Sequence, residues 1–201
     1  YVLLMLEDYY IGNPVDQNEV KKLICYLEQN KIGYCKLENR GNNLKEIYNG
    51  IPYLKTISND IKYGVSLTTS IWNKRFLLDV LGLDDYTAWE FEIRRNLEND
   101  ITKSTKEICV CDERNILNIV HMVQRGKYLR NSVRIMKKRG YKIDVNKRGY
   151  ISLYLTLYLY LYSKKKTNPK LFNFLKKTQE KIGFKTVSDK YKEEISKNLY
   201  H

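Results

Sequence analysis

Strand-like runs and amphipathic helical repeats alternate through the first two-thirds of this chain. That order predicts an α/β layered fold in which helices cover a sheet. Tyr1-Val2-Leu3-Leu4-Met5-Leu6 opens a buried strand over residues 1–8, and Glu7-Asp8 stands at its carboxyl end. With no basic flank and no small-residue cleavage site, this start does not read as a signal peptide. A first residue already inside a strand suggests that the natural chain extends upstream. Asp16 then caps a helix, with Glu19 completing a capping box, and Val20, Leu23, Ile24 and Leu27 share one apolar face. Gly33 reads as the stop of that helix, Tyr34 to Leu37 as a short strand, and Asn39 to Asn43 as a polar loop. Lys62 to Ser70 predicts another strand running into Ile71-Trp72. A helix from Asn73 to Leu81 follows and is stopped by Gly82. Asp84 or Asp85 caps a further helix carrying Trp89, Ile93 and Leu97 on one side, and Glu107 to Cys111 and Asn118 to Val123 are strand-like.

The basic third begins near Arg125. Arg130 to Arg139 predicts a helix ended by Gly140, and Asn168-Pro169 opens another with Leu171, Phe174 and Leu175 on one face. Between them, residues 151–162 alternate Ile or Leu with Ser, Thr or Tyr. Period two fits a strand, yet the run is long for one, and at helical pitch it is apolar or aromatic all round, so both readings stay open. The expected organisation is a catalytic part over residues 1–124 and a basic, helical extension over residues 125–201.

Charge separates the same two parts. Residues 1–100 carry 12 Lys and Arg against 15 Asp and Glu, whereas residues 101–201 carry 24 against 8. The basic half therefore faces something anionic: phosphate-bearing ligands, a membrane surface or nucleic acid. A hydrophobic fraction of 43% with 18 tyrosines argues against disorder along the whole chain, and no run of 18 apolar residues marks a spanning helix. Cys25, Cys35, Cys109 and Cys111 form no CxxC, and with two histidines in the chain a structural zinc site is not expected. They read as reduced cysteines of a cytoplasmic protein. His121, on the apolar run Ile119 to Val123, reads as a packed strand histidine ahead of a metal ligand.

Two acidic clusters carry chemistry. Glu7 and Asp8 at a strand end could hold Mg²⁺ or Mn²⁺, hard cations that prefer oxygen ligands, although such residues are commonly loop solvators. Trp89-Glu90-Phe91-Glu92 sets carboxylates beside rings, a pairing that suits a sugar. Glu90 also stands four residues from Arg94, the spacing of a surface helical ion pair.

Taken in order, LLMLEDYYIGNPVD, YGVSLTTSIWNKRFLLDVL, AWEFE and RGKYLRNSV resemble the bacterial glycosyltransferases of capsular and lipopolysaccharide assembly that have the GT-A fold. The resemblance covers roughly residues 1–140. It implies a GT-A-like mixed sheet flanked by helices, with Glu7 and Asp8 on the metal and diphosphate motif. It further implies Glu90 or Glu92 as the base that takes the acceptor hydroxyl proton, Trp72 and Trp89 lining the acceptor, and Arg125 and Lys127 reaching phosphate. The implied partners are a nucleotide-sugar donor, a glycan or lipid-linked acceptor and a divalent Mn²⁺ or Mg²⁺. Two departures stand out: Tyr9 occupies the place of a third acidic residue, and the family's nucleotide pocket is built from residues upstream of this motif. The implied setting is cytoplasmic, with the basic extension and its Lys164-Lys165-Lys166 against the anionic inner face of the cell membrane. Nucleic-acid binding by the basic half, or a non-catalytic scaffold, is the alternative. Against nucleic acid, no helix-turn-helix, RNA-recognition or zinc motif is present.

Overall fold

The computed structural model describes residues 1–38, 44–58, 61, 63–83, 87, 88, 90, 91 and 107–163. It falls into two compact units, Tyr1–Met122 and Val123–His201.

The first unit is a mixed α/β structure. Its five-stranded sheet contains β1 (Val2–Leu4), β3 (Ile32–Lys36), β4 (Leu54–Thr56), β5 (Ser70–Trp72) and β6 (Ile108–Asp112), in the order β1-β5-β3-β6-β4. β5 runs antiparallel to both β1 and β3, and β3 is parallel to β6. β1, β3 and β6 therefore point the same way, and one row of partners crosses the sheet through Leu4, Ser70, Lys36, Cys111 and Lys55. A separate ribbon pairs β2 (Tyr9–Ile11) with β7 (Ile119–His121).

Helices cover both faces. α1 (Gln17–Gln29) buries Leu23 and Leu27 with Ile32, Cys35, Ile71 and Val110. α2 (Lys74–Leu81) buries Phe76, Leu77 and Val80 with Tyr34, Trp72, Cys109 and Cys111. Every residue of β3 is buried, which is how a central strand between two helical layers reads. The capping residues act as their chemistry dictates. Asp16 accepts from the Asn18 and Glu19 N–H groups, and Asn73 from those of Arg75 and Phe76.

Several sequence expectations are corrected. The first strand is not buried: it is Val2–Leu4 at the end of the sheet order, paired only with β5, so Val2 and Leu3 are exposed. Gly33 does not stop α1. The helix ends at Gln29, with Asn30 as cap and Lys31 in the left-handed region (φ 52°). Gly33 lies inside β3, where a Cβ would come within 2.9 Å of Glu107 and 3.0 Å of Phe76. Most of the expected strand before Ser70 is turns and bends. Tyr63 is left-handed, a Cβ at Gly64 would meet Ile57 at 2.6 Å, and the Ser66 N–H is taken by the Tyr34 hydroxyl at 3.2 Å. The expected strand Asn118 to Val123 divides at Met122, whose N–H donates to the Asp8 carbonyl. The loop at Asn39 to Asn43, the caps Asp84 and Asp85 and the helix after Asn168 lie outside the described residues.

In the second unit a hairpin joins β8 (Val123–Gln124) to β9 (Lys127–Tyr128). α3 (Arg130–Lys138) buries Val133 and Met136, and a 3₁₀ turn spans Val145–Lys147. Of residues 151–162, open between strand and helix in the sequence, all from Leu153 on belong to α4 (Leu153–Ser163). The Ser152 hydroxyl caps its start by accepting the Leu155 N–H at 3.1 Å.

The hairpin turn offers a prediction. Its two central residues, Arg125 and Gly126, both have positive φ (53° and 72°), the geometry that favours Asn-Gly. Replacing Arg125 by Asn should raise stability by about 0.5–1 kcal/mol, part of what a side chain loses in the left-handed region. A urea midpoint that falls instead would contradict this turn assignment.

Candidate active site at the carboxyl end of the sheet

Because β1, β3 and β6 are co-directional, their carboxyl ends share one end of the sheet, the end where open α/β sheets take ligands. Glu7 and Asp8 form a turn there, closed by the Tyr9 N–H donating to the Leu6 carbonyl at 3.1 Å. Glu7 is exposed and Asp8 half-buried. The β2–β7 ribbon then fixes the corner. Met122 N–H donates to the Asp8 carbonyl at 2.8 Å, and Tyr9 faces His121 in register with their rings stacked at 5.1 Å and 26°. The strand histidine of the sequence reading thus packs on Tyr9, one residue beyond the acidic pair. Sequence spacing gave no hint of that neighbourhood, because 111 positions separate Glu7 from Asn118 at the ribbon's start.

The same sheet end carries a second polar group. Asp112 is the last residue of β6 and is 1% exposed. The Arg114 guanidinium grips it, Nε at 3.0 and 3.2 Å and one terminal nitrogen at 2.7 Å. The other terminal nitrogen donates to Glu19 at 3.0 Å, and the guanidinium carbon lies 3.8 Å from the Tyr53 ring centroid. The bond to Asp112 raises the Arg114 pKa, and the bond from Lys22 lowers that of Glu19. At the head of β5, Thr69 is fully buried, and its hydroxyl has no hydrogen-bond partner among the described residues.

The other residues singled out in the sequence are placed as follows. Trp72 is fully buried. Its ring packs on Tyr34 (4.4 Å, edge-on) and Phe76 (5.7 Å), and its Nε1 donates to Ser70 Oγ at 2.8 Å. No face of the indole is turned to solvent, which makes Trp72 a core residue here and no acceptor-lining surface. Glu90 belongs to a capping box: Thr87 N–H donates to its carboxylate at 2.6 Å, and the Thr87 hydroxyl accepts the Glu90 N–H at 3.2 Å. The signal Thr-x-x-Glu at residues 87–90 was present in the sequence. Trp89 and Glu92 lie outside the described residues. Arg125 and Lys127 are exposed, on either side of Gly126 in the second unit's hairpin.

Among the described residues, no three His, Cys, Asp or Glu side chains are grouped to hold a metal ion. The acidic pair offers two carboxylates, a number with which Mg²⁺-type sites fill the rest of their shell from phosphate and water. Comparison of the chain with protein-family models, with curated proteins and with solved structures gave no match.

Proposed function

We propose that the chain is the acceptor-side part of a nucleotide-sugar-dependent glycosyltransferase of the GT-A type. It would transfer a sugar to a glycan or lipid-linked acceptor in surface polysaccharide assembly. The observation that carries this reading is the position of Glu7-Asp8: an acidic turn where β1 leaves the sheet, at the end toward which three co-directional strands point. A Mg²⁺ or Mn²⁺ held by those carboxylates would neutralise charge on the departing nucleoside diphosphate. The chain's own residues divide the remaining work. The β2–β7 ribbon holds the backbone of Asp8, so the turn is presented already ordered to the diphosphate. Glu92 is the better candidate to take the acceptor proton, because the Glu90 carboxylate is occupied by the Thr87 N–H. Arg125 and Lys127 are exposed cations suited to phosphate.

Calorimetry of Mn²⁺ with uridine or guanosine diphosphate, on the natural full-length protein, tests the site. Wild type should bind only with the metal present, and Asp8→Ala should lose that binding. Glu92→Gln should keep binding yet lower turnover by roughly 10²–10⁴-fold, the usual size of a general base. Glu90→Ala should chiefly lower stability, by about 0.5–1 kcal/mol, through the lost capping-box bond, and Glu90→Gln much less, because its amide oxygen still accepts the Thr87 N–H. Binding that ignores both the metal and Asp8 would refute the proposal.

A further inference from the structure

The turn Tyr48-Asn49-Gly50-Ile51, which leads toward β4 in the first unit, carries a reactive pair. Asn49 is the only asparagine of the chain that precedes a glycine. Every other asparagine is followed by a residue whose side chain flanks the backbone nitrogen or, at Asn13 and Asn168, by a proline that has no N–H. The Ile51 N–H closes the turn on the Tyr48 carbonyl at 3.0 Å, and Asn49 and Gly50 both have positive φ (47° and 69°). Both residues are exposed, and nothing lies within 4 Å of where a Gly50 Cβ would stand. Among the described residues, the Gly50 N–H donates to no backbone carbonyl. The Asn49 amide is held by two long bonds, from Nδ2 to the Tyr26 hydroxyl and to Asn30 Oδ1, each 3.4 Å.

We infer that Asn49 is a site of spontaneous deamidation, in which the Gly50 backbone nitrogen attacks the Asn49 side-chain carbonyl carbon and ammonia leaves. The Gly50 N–H gives its proton to hydroxide from solvent, and the nitrogen bonds to Asn49 Cγ. The Cγ–Nδ2 bond breaks as Nδ2 takes up a proton and departs as ammonia, leaving a five-membered cyclic imide. Water then opens the imide at either of its carbonyls. One opening gives aspartate; the other gives isoaspartate, with the main chain rerouted through the side chain. Water is the only co-reactant, and nothing is oxidised or reduced. The attack requires Asn49 to rotate about ψ out of the left-handed turn. Open space around Gly50 and the two long bonds of the amide offer little resistance to that rotation beyond the single bond that closes the turn. Glycine serves twice here, because it accepts positive φ and places no Cβ in the path of the reaction. Conversion also changes the packing. A carboxylate replaces the Nδ2 donor and stands against Asn30 Oδ1, acceptor to acceptor, so the turn releases the C-terminal cap of α1. The inference does not depend on the glycosyltransferase reading, since it requires no bound substrate and no catalysis.

Peptide mapping by mass spectrometry, on the intact chain held at about pH 8 where the fold is stable, tests it. Trypsin releases Glu46–Lys55, in which Asn49 is the only asparagine. That peptide should gain about one dalton before any other asparagine-containing peptide does, and should separate into two products of equal mass, aspartate and isoaspartate. Incubation in oxygen-18 water followed by digestion in ordinary water should raise the gain to about three daltons, which marks conversion in the folded chain and not during digestion. Gly50→Ala should slow the conversion roughly tenfold, because a Cβ then flanks the attacking nitrogen, while its far-UV circular dichroism stays that of wild type. An unchanged Glu46–Lys55 peptide would overturn the inference, as would earlier conversion of another asparagine or a gain without the heavy oxygen. A single product in place of two would also overturn it, because direct hydrolysis of the amide gives aspartate alone.

Discussion

Replacing Arg114 by Met should destabilise the chain by about 3–5 kcal/mol, the size seen when one partner of a buried ion pair is removed. Asp112 is the reason. It is 1% exposed, and the Arg114 guanidinium supplies three side-chain bonds to its two oxygens in addition to one from the Arg114 backbone N–H. Met roughly preserves the packing over Tyr53 but leaves the Asp112 charge buried with only that backbone donor. Glu19 adds little to the deficit, since it is partly exposed and keeps its bond from Lys22 at 2.9 Å. Adding Asp112→Asn to Arg114→Met should recover more than half of the loss, because the uncompensated charge is gone. Urea unfolding of the single and double variants measures both effects. A single-variant loss below about 1 kcal/mol would mean that water, not Arg114, compensates Asp112. Because Asp112 closes β6 at the same sheet end as Glu7-Asp8, the single variant should also disorder that end, and Arg114 is best regarded as its brace.

The parts of the fold legible in the sequence are those decided within a turn of helix. Asp16, Asn73 and Gly82 bound their helices because each satisfies, or releases, backbone groups a few residues away. What escaped depends on distant partners. Gly33 looked like a helix stop. Its actual constraint is Glu107 across the neighbouring parallel strand, 74 positions on. Residues 151–162 carry the period of a strand, but among the described residues only Tyr128 pairs with its start, accepting the Ile151 N–H at 3.1 Å, and from Leu153 a helix satisfies its own backbone. The candidate site divides the same way. Glu7-Asp8 at a strand end was legible from six apolar residues followed by two acids. The stacking of Tyr9 on His121 and the cluster of Glu19, Tyr53, Asp112 and Arg114 were not, because ribbon pairing and sheet order bring those residues together. Trp72 was misread for a related reason: the local sequence displays an aromatic residue, and only the layer order decides whether it faces solvent or core.

Alkaline solution should unfold the first unit, and the cause lies in the same doubly covered sheet. Burial pushes the Cys111 thiol up from an ordinary 9.0 to about 12, raises the Cys35 thiol well above its ordinary value, and raises the phenol of fully buried Tyr34. In each case the folded chain retains a proton that the unfolded chain releases. The stabilisation is therefore complete below about pH 9 and drains away as pH climbs toward 12. Each such group removes up to about 1.4 kcal/mol per pH unit within its window, so three together consume a typical margin of 5–15 kcal/mol within a few pH units. The urea midpoint should hold steady from pH 7 to about 8.5 and fall steeply by about pH 10.5. Cys111→Ala should start lower, because a core side chain is truncated, yet decline less steeply, since one titrating group is absent. A midpoint indifferent to pH over this range would mean that water reaches these groups in the folded state. Native-state alkylation gives an independent reading: exposed Cys25 should react with iodoacetamide at neutral pH, while Cys35, Cys109 and Cys111 wait for unfolding. Should Cys111 react as fast as Cys25, the helical layer formed by α2 would be opening readily, and the alkaline transition would begin correspondingly nearer to pH 9.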